Sequence, residues 1–387
     1  MRIRGLIFVF FASMAAMTVA CERRSSGPQD TTGEILVGMY GSLTGDGASF
    51  GQSSVEGAQL AVEEVNNAGG VLGGRKIRLL VEDDQSRPEE ASSAVTKLIT
   101  QNKVVAVLGE VASRRTLAAA PVAQKYKIPL ITPASTNERV TQVGDYIFRV
   151  CFIDPFQGEV LAKFAYNDLK ARRVAVLKDI QQDYSVGLTD SIQKTFTGLG
   201  GKVFDPVSYS SGDADFRAIL TQVRAQKPDA IFATGYYPEA AIIVRQAREL
   251  GMSMPILGGD GWVGDALKNG REALKNTFIS NHYSGQNPDP IVQNFRKAYR
   301  AKFNREPDSI AALGYDAAKV LADSITRAGT TEGPKVRDAI AAANVAGVTG
   351  QLRMNPSRDV VKPAVIEELQ FADGDVKYVY RATINPN

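Results

Sequence analysis

Val104-Val105-Ala106-Val107-Leu108-Gly109-Glu110-Val111-Ala112-Ser113-Arg114-Arg115-Thr116, running on through residues 117–126 to Ile128-Pro129-Leu130-Ile131-Thr132-Pro133-Ala134-Ser135-Thr136-Asn137, decides the fold. The apolar run 104–108 has the length of a buried strand and stops at Gly109. A polar turn, 110–116, leads into the alanine-rich stretch 117–126, which favours a helix. The apolar run 128–131 then ends in a second polar turn. Strand, helix, strand is the unit of a parallel sheet with a crossover helix. Ser113 and Thr136 both fall just past the carboxyl ends of their strands, the edge at which open α/β sheets bind ligands. Two hydroxyls and the free N–H groups of two turns at one crevice suit a small anion, most simply a carboxylate.

The alternation continues outward in both directions. Residues 35–39 read as the first strand, followed by a glycine-rich loop at 40–51. Ser53 is the expected cap of the next helix, with Val55, Ala58, Val62 and Val65 on its apolar face and Glu56, Glu63 and Glu64 toward water. A strand at 77–81 precedes Ser86-Arg87-Pro88-Glu89, which has the form of a capping box with an early proline. A strand at 146–149 follows the central unit. From Arg173 the pattern restarts, with strands at 174–177, 203–209, 230–233 and 256–257 between helices at 184–199, 215–225 and 238–250. Two successive series predict an α/β fold of two doubly wound, Rossmann-like lobes. Near His282 the chain is expected to cross back. Helices at 290–303, 309–328 and 334–342 come next, and 365–380 alternates like a hairpin turning at Asp373-Gly374.

The chain has 387 residues, 45 of them Lys or Arg and 42 Asp or Glu, which gives room for about two domains. Arg2 and Arg4 belong to a segment expected to be removed, so the remainder is nearly neutral and nothing points to nucleic acid. Those two arginines, the apolar stretch 6–19 and the small residues Ala15, Ala16 and Ala20 form a signal peptide at 1–20. Cys21 follows Ala20 directly, as in a bacterial lipoprotein signal, although Thr18 stands where that pattern has Leu. Cys21 is therefore the expected lipidation site, which would anchor an exported protein to the cell envelope through a polar tether at 21–33. The other cysteine, Cys151, sits in an apolar context and reads as a buried, unpaired thiol.

Cofactor and catalytic signatures fail. Starting from Gly45, a dinucleotide fingerprint would need glycine where Phe50 stands, and no phosphate-cradling loop occurs. His282 is the sole histidine and lies in Ser280-Asn281-His282-Tyr283, with no nucleophile elbow beside it. Glu82-Asp83-Asp84 is acidic, but consecutive strand-end residues alternate faces and do not converge on one ion. No metal, no cofactor and no enzymatic activity are expected.

Several segments taken together, Gly41-Ser42-Leu43-Thr44-Gly45, Glu82-Asp83-Asp84, 109–116, 132–137, 148–158, 234–239 and 258–262, resemble the periplasmic binding proteins for leucine, isoleucine and valine. Those proteins are the ligand-capturing subunits of branched-chain amino acid ABC transporters. The resemblance runs from about residue 35 to about 380. It implies a type I periplasmic binding protein with lobes at 34–153 plus 285–360 and 154–284 plus 361–387, joined by a multi-segment hinge. It implies that Ser113, Ala134 and Thr136 hold an amino acid's carboxylate and amine, and that Asp260 pairs with the ammonium. The leucine binders have Glu at the position of Asp260, so this side chain is one methylene shorter. Tyr184 and Tyr236 would close over the ligand from the second lobe. Phe50 stands where the leucine binders have Tyr and, with Tyr236 and Trp262, would form an apolar wall. Trp262 reads equally as packing beneath the pocket, and Arg114 and Arg115 could attract the carboxylate, although solvated turn arginines are commoner. The expected partners are a small amino acid and a membrane permease, with the protein itself a monomer. Short amides, urea-like compounds or aromatic acids remain alternative ligands, and a sensory role or an exported enzyme remain alternative functions.

Overall fold

The computed structural model describes residues 33–386; the leader-like segment, Cys21 and most of the tether lie outside the described residues. The N-terminal half alternates β1 (Ile35–Gly41), α1 (Ala48–Asn67), β2 (Ile77–Asp83), α2 (Pro88–Thr100), β3 (Val107–Leu108), α3 (Ser113–Tyr126), β4 (Leu130–Thr132), α4 (Arg139–Gln142) and β5 (Ile147–Arg149). These strands form one all-parallel sheet in the order β2-β1-β3-β4-β5. β3, β4 and β5 are buried throughout, as strands covered on both faces must be. The order reverses between β1 and β3, so the loops leaving those two strands part and open a crevice.

The second series runs through α5 (Asp154–Lys163), a π turn at Phe164–Asp168, β6 (Arg173–Asp179), α6 (Asp183–Gly198), β7 (Lys202–Val203), β8 (Val207–Tyr209) and α7 (Arg217–Gln226). It continues with β9 (Ala230–Ala233), α8 (Tyr237–Glu249), β10 (Ile256–Gly258), a 3-10 segment at Asp265–Leu274 and β11 (Thr277–Asn281). The chain then returns to the first lobe as α9 (Pro290–Phe303), α10 (Ser309–Ala328) and α11 (Gly333–Ala341). A small hairpin, β12 (Asn344–Gly347) with β13 (Gly350–Arg353), precedes β14 (Ala364–Ala372) and β15 (Asp375–Ile384). The second sheet has the order β15-β14-β11-β10-β9-β6-β7, with β8 also on β6. Its order also reverses, between β6 and β9, and β14 and β15 join antiparallel. The chain passes between the sheets three times: after β5, after β11 and before β14.

α10 packs along α1 through paired glycines. A Cβ on Gly57 would lie 1.9 Å from the Ala311 carbonyl oxygen, and one on Gly314 would lie 2.2 Å from that of Ser54. This contact changes three expectations. Ser53 is not a cap, because α1 begins earlier, at Ala48; its hydroxyl instead bonds Asp308 Oδ2 at 2.6 Å. Glu56 and Glu64 do not simply face water, since Glu56 receives Tyr299 and Arg305, and Glu64 receives Tyr315 and Lys319. Both carboxylates link α1 to the returning helices.

Other departures are local. Ser86 makes no capping box: Arg87 occupies the cap position, and the Ser86 hydroxyl ties the loop after β1, accepting from Gly47 N at 3.0 Å and donating to Thr44 O at 2.9 Å. The expected strand at 203–209 is broken between β7 and β8, where Pro206 lacks an N–H for the ladder. Cys151 is free and buried, and burial pushes its thiol up to about 12. No described helix is long and apolar enough to cross a membrane.

Candidate ligand-binding site

The loops leaving β1, β3 and β4 face those leaving β6, β9 and β10, and the two sets meet. Asn137 Nδ2 donates to the Asp183 carbonyl at 2.8 Å, Arg114 Nη1 to that of Gln181 at 2.7 Å, and the Tyr237 hydroxyl to that of Asp46 at 2.6 Å. Between these clasps lies a buried set of polar groups.

Ser113 is the first residue of α3 and is 1% exposed. Its hydroxyl accepts from Asn137 N at 3.2 Å, which ties the loop after β3 to the loop after β4. Thr136 is also 1% exposed, and its Oγ1 lies by the Asp154 carboxyl with no well-aligned hydrogen bond to a described residue. Ala134 is buried in the same loop, above Thr132 and Ser135, whose side chains bond the Glu110 carbonyl at 2.5 and 2.9 Å. These bonds fix the loops from below.

Asp260, in the loop after β10, is 4% exposed. Gln157 Nε2 donates to its Oδ1 at 2.7 Å, and His282 Nε2 stands 2.8 Å from its Oδ2. The His282 ring stacks on Phe152, with centroids 3.6 Å apart. Burial lowers its pKa to about 4, against the pull of Asp260, so the ring is neutral near pH 7. Nδ1 is buried with no partner, which fits a neutral ring whose proton sits on Nε2 and is donated to Asp260.

Tyr184 and Tyr236 stack with their planes 6° apart and centroids 5.0 Å apart, and Gly261 N donates to the Tyr184 hydroxyl at 3.4 Å. Burial raises the pKa of both phenols well above the usual value, so both stay neutral. Phe50, on α1, meets Tyr236 edge-on at 5.4 Å, so an aromatic wall spans the two lobes. Trp262 is fully buried, with its ring against Gly258, where a Cβ would be 2.3 Å away, and its Nε1 has no hydrogen-bond partner among the described residues.

Sequence reasoning missed four residues here. Asp154, the first residue of α5, is 1% exposed, and among the described residues its carboxylate oxygens make no well-aligned hydrogen bond, with the Thr136 hydroxyl standing by them. Burial first, and also the charge of Asp260, hold its pKa well above the usual range. A buried carboxyl group without a well-aligned hydrogen bond is costly unless something else completes it. His282, Gln157 and Arg115 were the others. Arg115 is not solvated: it is 6% exposed and lies 3.2 Å from Glu110 Oε1. Among the described residues no group of three or more His, Cys, Asp or Glu side chains could hold a metal ion.

Two α/β lobes clasped over a cleft of hydroxyls, carboxylates and stacked tyrosines form a protein that captures a small solute. Residues 34–368 match the family described as "Periplasmic binding protein", and the chain belongs to that family. It is 33% identical over 334 residues to an "Amino acid binding protein" of Pseudomonas aeruginosa, across 84% of this chain and 87% of that one. Two solved structures are similar. One is a leucine binding protein from Thermotoga maritima, with 41% identity and a TM-score of 0.86, covering 91% of this chain and 99% of the other. The other is a branched-chain amino acid transporter substrate binding protein from Streptococcus pneumoniae in complex with isoleucine, with 34% identity and a TM-score of 0.83, covering 90% and 100%.

Proposed function

We propose that this protein captures a small amino acid, of the aliphatic or branched-chain kind, by closure of its two lobes and hands it to the membrane permease of an ABC importer. Ser113, Ala134 and Thr136 take the carboxylate and share the amine, while Asp260, joined by Asp154, pairs with the ammonium. Tyr184 and Tyr236 close over the ligand, and Phe50 bounds its side chain. One observation carries the reading: two buried carboxyl groups, Asp154 and Asp260, lie close enough to feel each other's charge, and Thr136 Oγ1 lies by the first without a well-aligned hydrogen bond. An ammonium group beside a hydroxyl-bound carboxylate satisfies all three, and burying both ligand charges requires that each be paired.

The sheet membership supports lobes at 34–153 plus 285–360 and 154–284 plus 361–387. The cleft holds the ligand and releases it unchanged. The protein works as an exported monomer tethered by lipid on Cys21, which mass spectrometry of the protein from its native envelope would check.

Titration calorimetry with leucine, isoleucine, valine and 4-hydroxybenzoate tests the function. Asp260→Ala should weaken amino acid binding by about 3–5 kcal/mol, or roughly two to four decades. Unchanged affinity in that variant, or binding of the benzoate alone, would refute the reading.

A further inference from the structure

The aromatic wall does not end in an apolar floor. Beyond Tyr236 and Phe50 it opens on a cavity of about 280 Å³ whose lining includes Asp46, Gly47, Tyr237 and Arg115. Arg115 leaves the first turn of α3, two residues after Ser113, so it belongs to the same loop that holds the expected carboxylate ligand. Its Nε is engaged by Glu110, but Nη2 is buried and donates no hydrogen bond to any described residue. The absence of a side chain at Gly47 makes room for the guanidinium, since a Cβ there would lie 2.9 Å from Nη2.

The charge of Arg115 is already balanced. Glu110 Oε1 lies 3.2 Å from Nε and Asp84 Oδ1 lies 3.9 Å away, and both carboxyl groups are fully buried. What remains unsatisfied is hydrogen-bonding capacity, not charge. A buried donor without an acceptor is unfavourable, and a guanidinium presents five donors in a fixed fork. The missing partner is therefore an uncharged oxygen acceptor, since a second anion would face Glu110 as well as Arg115.

We propose that Arg115 is a specificity residue that donates to a hydroxyl or amide oxygen on the side chain of the captured amino acid, extending the ligands of this site beyond purely aliphatic ones. This inference rests on the amino acid capture proposed above. Arg115 contributes donors at the side-chain end, while the groups around Ser113 and Asp260 hold the α-carboxylate and ammonium.

Near-isosteric pairs separate the two ends: threonine with valine, and glutamine with methionine, titrated calorimetrically into the wild-type protein and Arg115→Met. The expected result is that Arg115→Met weakens the polar member of at least one pair tenfold or more and moves its apolar partner by less than twofold. Equal loss for both members of each pair, no loss for either, or no binding of either polar member to the wild type overturns the proposal. Failure of all four, and of leucine and isoleucine as well, to bind the wild type would instead overturn amino acid capture itself. Arg115→Met leaves Glu110 without its cation, so Arg115→Lys serves as a second variant. It keeps the charge but loses the fork, and it should show the same one-sided loss, of at least threefold, at an unchanged melting temperature.

Discussion

His282 Nε2 stands 2.8 Å from Asp260 Oδ2, and the two residues leave the ends of neighbouring strands, β11 and β10. With Gln157 on the other oxygen, the carboxylate is fixed in orientation and still has lone pairs free for a ligand. His282→Leu removes a hydrogen bond to a charged group, worth about 1.5–3 kcal/mol. Amino acid affinity should fall roughly tenfold to a hundredfold by calorimetry, and His282→Gln should recover part of it. His282 is the chain's single histidine, so its imidazole signal can be followed alone by NMR. It should titrate at about 4, so His282 adds no step of its own to the pH dependence of affinity around 6.5. A signal titrating near the ordinary value would remove the buried, neutral donor from the account.

Asp154 gives a proton-linked signature. Burial keeps this carboxyl protonated well above its ordinary range in the unliganded protein. An arriving ammonium group favours the ionised form, so the pKa falls and a proton leaves. Calorimetry in two buffers of different ionisation heat, at pH values stepping up from the ordinary carboxylate range, should therefore differ by the ionisation heat of up to about one proton. Asp154→Asn should abolish the difference and weaken binding by roughly two decades or more. Identical heats in both buffers would count against Asp154 as an ammonium partner.

The clasp between the lobes separates buried from exposed contacts. The Tyr237 hydroxyl donates to Asp46 O at 2.6 Å and accepts from Ser49 N at 3.3 Å, all from the opposing lobe. Tyr237→Phe should weaken ligand binding about fivefold, the equivalent of about 1 kcal/mol. The Arg139–Asp183 pair, at 2.8 Å, also crosses the cleft, but the arginine side chain is 67% exposed. Exposed pairs contribute about 0–1 kcal/mol, so Arg139→Ala should change affinity less than Tyr237→Phe does. The reverse ranking would mean that closure is held at the rim.

Glu367 offers a test of stability alone. It is buried on β14, its Oε2 accepts from Asn281 Nδ2 at 2.8 Å, and burial raises its pKa from 4.5 to about 7. The folded state thus binds more protons than the unfolded chain between those values. The contribution of Glu367 is therefore most favourable below pH 4.5 and is lost as pH rises through 7. Glu367→Gln keeps an oxygen for Asn281 and cannot ionise. Urea unfolding should find it more stable than the wild type at pH 8 by up to about 3 kcal/mol, with the advantage gone near pH 4.5. An equal difference at both pH values would contradict this.

Local rules made much of the fold legible. The helices expected at 290–303 and 309–328 are α9 and α10 to the residue, because a proline and a serine mark their starts and Asn304 and Gly329 end them in the left-handed region. The turn at Asp373-Gly374 has φ of 55° and 74°, the conformation that this dipeptide favours. Ser53, Glu56 and Glu64 were misread because their partners, Asp308, Tyr299, Arg305 and Tyr315, lie some 250 residues away and are invisible to periodicity. The same holds at the cleft. Ser113 and Thr136 stand out as strand-end hydroxyls, whereas Gln157 and His282 matter only through Asp260, which the fold brings to them. Turn arginines are ordinarily wet, whereas here Glu110 and, from another loop, Gly47 enclose the Arg115 guanidinium.

Each lobe borrows its last parts from the end of the chain: α10 covers α1, and β14 completes the edge beside β11. A ribosome therefore releases a first half whose longest helix face is still bare and a second half whose sheet still has an open side. The first cannot settle before α10 emerges nor the second before the final strands do, so an export channel would receive an unsettled thread, and cutting off the C-terminal hairpin would spoil a lobe that begins two hundred residues earlier.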